Sequence, residues 1–358
     1  MSHPYSSLPS KAFWSSAVAD RNFLEFSDIY TKKYEIRPED RIVTAGSCFA
    51  QHISRKLVAA GFRYMDYETA PPALPPEIAA EYNYGVYSAR YANVYTTRQL
   101  LQLFNRAFEG FVADEDIWRD KGRIFDPFRP TIEPGGFVDE DDFYAARESH
   151  MRAVRKVFTE SDIFIFTLGL TEAWESRIDG TIFPVCPGTQ AGTFDPMRHA
   201  FHNFSYPEVY DDLKLLIQKV RSVNQNVKFL LTVSPVPLTA TASGDHVMVA
   251  TSHSKSILRA VAGQLALEDE GIDYYPSYEL VAAPPIRASL YGSNLRTVVS
   301  SGVDIVMRHF FTQHVPTKKV AANPAAGGPV KRGGKPKKKP KHIDDIICEE
   351  ELLEQFAQ

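Results

Sequence analysis

Three short, mainly apolar runs restrict the folds open to this chain. Arg41–Ala45 (RIVTA), Asp162–Leu168 (DIFIFTL) and Val227–Val233 (VKFLLTV) lack the polar–apolar alternation of a half-exposed strand. Such runs belong in a parallel sheet covered on both faces. Helical patterns separate them. Phe49, Ile53, Leu57 and Ala60 fall on one helical face, which Gly61 ends. Tyr206–Val223 places Val209, Leu213, Leu216 and Val220 on another. Further helices are expected over Ser254–Glu268 and Ser301–Phe311, with a late strand at Gly271–Tyr275. This alternation predicts a three-layer α/β sheet with right-handed crossovers.

Residues 1–316 read as one domain with an irregular lead-in. Within it, residues 66–150 fit the rhythm poorly: PPALPP, several aromatics and a DEDD stretch read as a long insertion over part of the site. Residues 317–341, rich in Pro, Gly, Ala and Lys, are expected to form a disordered basic linker. Residues 342–358 form a short acidic tail. Ile343, Ile346, Ile347, Leu353 and Phe356 share a rough helical face, so the tail either docks on a surface, a protein partner included, or frays as a solubilising end.

Charge narrows the partners. Up to position 317 there are 31 basic against 38 acidic residues, and the nine remaining basic residues all lie between Lys318 and Lys341. A mildly acidic body carries no nucleic-acid footprint, and the lysine run reads as a solvated spacer before it reads as a site for nucleic acid or an anionic membrane. No apolar run reaches the roughly 18 residues of a membrane span. The first residues lack the basic-then-apolar order of a secretory signal. Cys48, Cys186 and Cys348 fit neither a disulfide framework nor a zinc site, and point to a reducing cytoplasm. No metal-ligand spacing, Walker A or G-x-G-x-x-G sequence is present, so no metal or nucleotide cofactor is expected; GGKPKKK at 333–339 follows no strand.

In such sheets ligands sit beyond the C-terminal strand ends. AGSCFA (45–50), TLGLTEAW (167–174) and TVSPVP (232–237) each follow an apolar strand directly. Gly46 permits a tight turn, and Ser47 then lies at a helix N-terminus, which favours developing negative charge. Ser47 is a candidate nucleophile; a plain helix cap is the other reading. Cys48 is a rival nucleophile, unless its position turns it toward the sheet. Trp174, Tyr84, Tyr87 and Tyr91 read either as a sugar-stacking wall or as core.

The string GSCFA at 46–50, with Asn83–Gly85, TLG (167–169), TVSPV (232–236), SKSILRA (254–260) and YYPSYEL (274–280), resembles the GSCFA-domain family over about residues 35–312. That resemblance implies kinship with SGNH/GDSL-type hydrolases, a flavodoxin-like three-layer α/β/α sandwich with a mainly parallel sheet, and acyl-ester chemistry. It places Ser47 as nucleophile, with its own N–H and that of Gly85 in the oxyanion hole. Gly169–Glu172 takes the place of a Gly-x-Asn-Asp block, with Thr171 where the oxyanion-binding Asn would stand. Ser234 joins the substrate-binding set. The chain departs from the family where an Asp-x-x-His-Pro sequence would complete the triad: Asn294–Val298 stands there. Asn294 cannot carry the charge, and Thr297 cannot act as a base.

The candidates for a replacement base are His246, in a polar loop expected over the catalytic edge, and His202, before a helix. His199 and His253 are weaker, and His52 faces elsewhere. Glu172 either orients or activates a neighbour, or caps a helix expected after Leu170. The leading reading is a cytoplasmic, cofactor-free SGNH-like serine esterase or O-acyltransferase for acyl, chiefly acetyl, esters of a carbohydrate. The alternative is an SGNH-shaped protein that has lost its Asp–His pair and binds a glycan or a protein partner.

Overall fold

The first strand, β1 (Ile42–Gly46), is buried at every position and turns through Ser47 and Cys48 into α1 (Phe49–Ala60). Gly61 ends that helix in the left-handed conformation, φ +84°. The computed structural model describes residues 3–315 and 348–357. The linker reading for 317–341, and the tail before Cys348, lie outside the described residues. The chain continues through α2 (Pro76–Glu81), α3 (Thr97–Phe108), the hairpin β2 (Trp118–Asp120) and β3 (Arg123–Phe125), and α4 (Glu140–Glu160). Then follow β4 (Ile163–Leu168), β5 (Glu172–Ser176), β6 (Ile182–Phe183), β7 (His199–Asn203), α5 (Tyr206–Val223) and β8 (Lys228–Val233). Last come α6 (Val247–Glu268), β9 (Ile272–Tyr275), α7 (Ser277–Ala282), α8 (Ser300–Gln313) and a 3₁₀ segment over Glu349–Phe356.

The central sheet is all parallel in the order β1-β4-β8-β9. On the free side of β1, Tyr64 makes a parallel bridge to Ile42, flanked by Ile42 N–H to Arg63 O (3.0 Å) and Met65 N–H to Ile42 O (2.9 Å). Counting this stub, the spatial order is 2-1-3-4-5, the flavodoxin-like arrangement, whose switch point lies between β1 and β4. Alternate side chains feed two layers. Val43, Phe164, Phe166, Phe229 and Leu231 pack on α3, α4, α5 and α6 through residues such as Leu100, Val154, Leu213 and Leu258. Ile42, Ile163, Ile165 and Leu230 pack on α1, α7 and α8 through Ile53, Leu57, Leu280, Val306 and Phe310. Among the described residues, no helix is long and apolar enough to cross a membrane.

Three sequence expectations change. The stretch 66–150 carries α3 and most of α4, two of the helices that cover the sheet; its Pro and aromatic content masked their periodicity. No helix follows Leu170: the chain enters β5, the centre of an antiparallel sheet ordered β6-β5-β7. Glu172 therefore caps no helix. The loop around His246 is shorter than expected, because α6 begins at Val247.

Gly46 ties the sheet to the site. Its φ is +139°, and a Cβ there would stand 2.3 Å from the carbonyl oxygen of Thr167. Only glycine lets the ends of β1 and β4 approach so closely. Gly46→Ala is expected to destabilise the fold by about 3 kcal/mol, combining overpacking with backbone strain, read as a lower melting temperature; an unchanged value refutes the close approach.

A buried ionic cluster braces residues 66–150. Arg129 Nε meets Asp126 Oδ2 at 2.8 Å, Arg147 Nη2 meets Asp126 Oδ1 at 3.0 Å, and His150 Nδ1 meets Glu68 Oε2 at 2.7 Å. Arg90 N–H donates to Glu68 Oε2 (2.8 Å) and Arg129 Nη1 to Arg90 O (3.1 Å). Burial opposes the charge on Glu68, yet His150, Arg129 and the Arg90 N–H hold it down to about 2. Asp126 is likewise held low, against burial, by Arg147 and Arg129. Burial, then Arg129, pushes His150 down to about 4. Both signs make the cluster acid-labile. The carboxylates lose their stabilising contribution as pH falls from about 4.5 toward 2, and His150 takes up a proton more readily once unfolded, from about 6.5 downward. The melting temperature should fall steadily from pH 7 to pH 3. Glu68→Gln should cost about 3 kcal/mol at pH 7 by stranding buried cations.

Candidate functional site

The switch point is crowded by three segments. From β1, Ser47 follows Gly46, and Cys48 occupies the N-cap position of α1. Tyr91–Tyr95 lies beside this turn: Val94 N–H donates to Gly46 O (2.9 Å), and the Tyr91 hydroxyl donates to Thr44 O. Within it Ala92 is buried at φ +63°, a left-handed conformation costing alanine about 1 kcal/mol. From β4, the N–H groups of Gly169 and Leu170 both donate to Tyr95 O, at 3.1 and 3.2 Å. A Cβ on Gly169 would stand 3.1 Å from Ser47 Cβ, so this glycine makes room for the serine.

Ser47 is 4% exposed, and its hydroxyl has no hydrogen-bond partner among the described residues. It lines a small cavity with Cys48, Tyr95, Ser234, Lys255 and Glu350. Ser234 is fixed by its N–H to Leu168 O (2.9 Å). Lys255 enters from α6, 1% exposed, and its Nζ donates to Gly169 O at 2.6 Å. Burial pushes its ammonium down to about 8, while Glu350 opposes that shift.

The three expected oxyanion donors are otherwise engaged or placed. Ser47 N–H donates to Thr167 O (3.1 Å). The Thr171 hydroxyl donates to Asn203 Oδ1 (2.6 Å), and its N–H donates to Ser254 Oγ. Gly85 sits in an exposed turn, with open space where a Cβ would be. Anion-facing donors come instead from Asn93 and Tyr95: the Asn93 amide and the Tyr95 hydroxyl (3.0 Å) both donate to the carboxylate of Glu349.

The histidines are also committed. His246 is exposed and caps α6, its Nδ1 accepting the N–H of Met248 (3.1 Å). His202 stands on β7 with Nδ1 on Glu175 (2.5 Å) and Nε2 on Glu208 (2.9 Å). His199 binds Glu115, and His253 is exposed on α6. Among the described residues, none of these four lines the Ser47 cavity. Glu172 accepts the Thr241 hydroxyl (2.8 Å), and burial raises its pKa. It lines a neighbouring groove with Trp174, Phe201 and Leu353. Of the other aromatics, Tyr87 and Tyr91 are buried core, and Tyr84 lies under the Arg90 guanidinium.

Sequence reasoning missed Asn93, Tyr95, Lys255 and Arg296. Lys255 left a signal: it occupies the apolar face Leu258–Ala262–Leu265 of its helix, where a lysine has no solvent to reach. Arg296, from the Asn294–Val298 stretch, is 6% exposed and meets Glu350 (3.3 Å) and Glu351 (3.0 Å) of the tail. Asn294 shapes that turn by accepting the N–H groups of Arg296 and Thr297. Among the described residues, no three His, Cys, Asp or Glu side chains group in a way that could hold a metal ion.

The chain matches the GSCFA family over residues 41–310, a span that holds the whole central sheet, Ser47, Lys255 and Arg296 but not the tail. No curated protein matches it significantly.

Cys48 is the poorer nucleophile. Its hydrogen bond with Cys348, then burial, pushes its thiol well above the ordinary range. In the folded chain at pH 8, Cys48 should resist iodoacetamide and react fully only after denaturation, as read by peptide mass spectrometry. Rapid labelling of native Cys48 would reopen its candidacy.

Proposed function

Because the chain belongs to the GSCFA family, we propose that it is an SGNH-like serine esterase or O-acyltransferase in which Ser47 is the nucleophile and Lys255 the general base. The observation that carries this reading is the shared cavity: an unpartnered serine hydroxyl at a strand-to-helix turn, facing the same small space as a buried lysine. Ser–Lys pairs are a known variant of the serine triad. Neutral Lys255 takes the Ser47 proton as Oγ attacks the acyl carbonyl. The Asn93 amide and Tyr95 hydroxyl donate to the oxyanion, and the proton passes from Lys255 to the leaving alcohol. Water or a second alcohol then resolves the acyl-serine. The groove with Trp174 and Phe201 offers aromatic faces to a sugar ring, which supports an acetylated carbohydrate, met in the cytoplasm, as substrate.

The second reading is a binding protein of the same shape for a glycan or protein partner. The engagement of Ser47 N–H and Thr171 with protein acceptors favours it.

Turnover of p-nitrophenyl acetate separates the two. Ser47→Ala should abolish it, Lys255→Met should lower it about 10²–10⁴-fold, and His246→Ala should leave it near the parent value. The base must be neutral, so kcat/KM should rise with pH and level off above about 8. An inert Ser47, unlabelled by a fluorophosphonate probe, together with a Lys255→Met variant equal to the parent chain, favours the binding protein.

A further inference from the structure

The body holds two buried cations at the strand ends, and its own acids leave them uncompensated. Among the described residues, both ion pairs of the Arg296 guanidinium are with the tail, and its Nε donates to Pro237 O (3.2 Å) of the body. Lys255 is paired with no body carboxylate among the described residues; its hydrogen bond goes to a carbonyl. Uncompensated buried charge is strongly destabilising, so a site of this kind is completed by an anion. Beside it, Asn93, Tyr95 and Thr131 converge on one carboxylate. Glu349 is 2% exposed, with Oε2 accepting from the Asn93 amide and the Tyr95 hydroxyl and Oε1 accepting from the Thr131 hydroxyl (3.0 Å). Hydrogen bonds to an ionised acceptor are about twice as strong as neutral ones, and three of them compensate the burial of this carboxylate. Arg296 Nη2 reaches both Glu350 Oε2 and Cys348 Sγ, the latter at 3.5 Å.

We propose that these five side chains form an acidic-peptide site, with adjacent carboxylates bound by the Asn93–Tyr95–Thr131 cradle and the Arg296–Lys255 pair, and that Cys348–Glu349–Glu350 of the same chain fills it, closing the Ser47 cavity. Glu350 lines that cavity directly. The inference concerns the same site as the proposed reaction, but it rests on binding alone. An acidic peptide of another protein competes for the site, and the acyl substrate must displace or pass the tail to reach Ser47.

The test uses the full chain and a fluorescein-labelled peptide of residues 348–356 carrying Cys348→Ser, which removes thiol exchange. A Glu349→Gln/Glu350→Gln chain, with its own tail weakened, should bind the peptide at least tenfold more tightly than the parent chain does. The same peptide with Gln at both acidic positions should not bind, and adding Arg296→Gln to the chain should abolish binding. Equal binding of Glu and Gln peptides, or no binding by a folded double variant, overturns the proposal. Should the double variant fail to fold, hydrogen exchange on the parent chain decides. Amides of 348–356 should be protected, and excess Glu peptide, unlike the Gln peptide, should remove that protection; an unprotected tail overturns the site. The readout is binding, so an inert Ser47 would refute the acyl chemistry and leave this site standing.

Discussion

A single missing methyl group organises this molecule. The contact between Gly46 and the Thr167 carbonyl brings the ends of β1 and β4 closer than any side chain would allow. The backbone at Gly46 therefore turns against Thr167 with no room for a side chain, and neighbouring groups inherit their places. Ser47 N–H is captured by Thr167 O, Gly169 backs onto Ser47, and Tyr91–Tyr95 is drawn in by Gly46 O on one side and by the Gly169 and Leu170 N–H groups on the other.

The second support is electrostatic. Arg129 grips the Arg90 carbonyl, Glu68 grips the Arg90 N–H, and Arg90 itself reaches Ile132 O. These contacts fix the chain just before Ala92, the residue held in a left-handed conformation. The strain at Ala92 thus sits between two sets of bonds, which is how such a conformation persists next to a site. The stretch that made the sequence hard to parse is what steadies Asn93 and Tyr95.

The layered fold was legible because its signals are local. The mainly apolar runs became β4 and β8, because burial on both faces restricts residue type, and the Phe49–Ile53–Leu57–Ala60 stripe became α1, because one buried face imposes its helical spacing. The place of Ser47 at a strand-to-helix turn was legible too, from a glycine at a strand end and a helix after it. The surrounding groups were not. Lys255 lies more than two hundred residues beyond Ser47, and only the packing of α6 on β8 and β9 brings its ammonium to Gly169. His246 looked available because the start of α6 could not be fixed from VMVATS, which mixes β-branched and small residues. Arg296 stands in a polar turn, where an arginine ordinarily faces solvent, and nothing local in CEEE says that Glu349 and Glu350 turn inward.

The tail belongs to the same polymer as the cavity it fills, and this sets how its occupancy responds to conditions. A separate inhibitory subunit falls away when a solution is diluted. Residues 348–357 do not, because docking is an internal equilibrium whose constant contains no protein concentration. The fraction of molecules with Glu350 at the Ser47 cavity does not change when the protein is diluted. It responds instead to a competing solute, to salt that screens the Arg296 pairs, and to cleavage, modification or a shift in protonation of the chain itself.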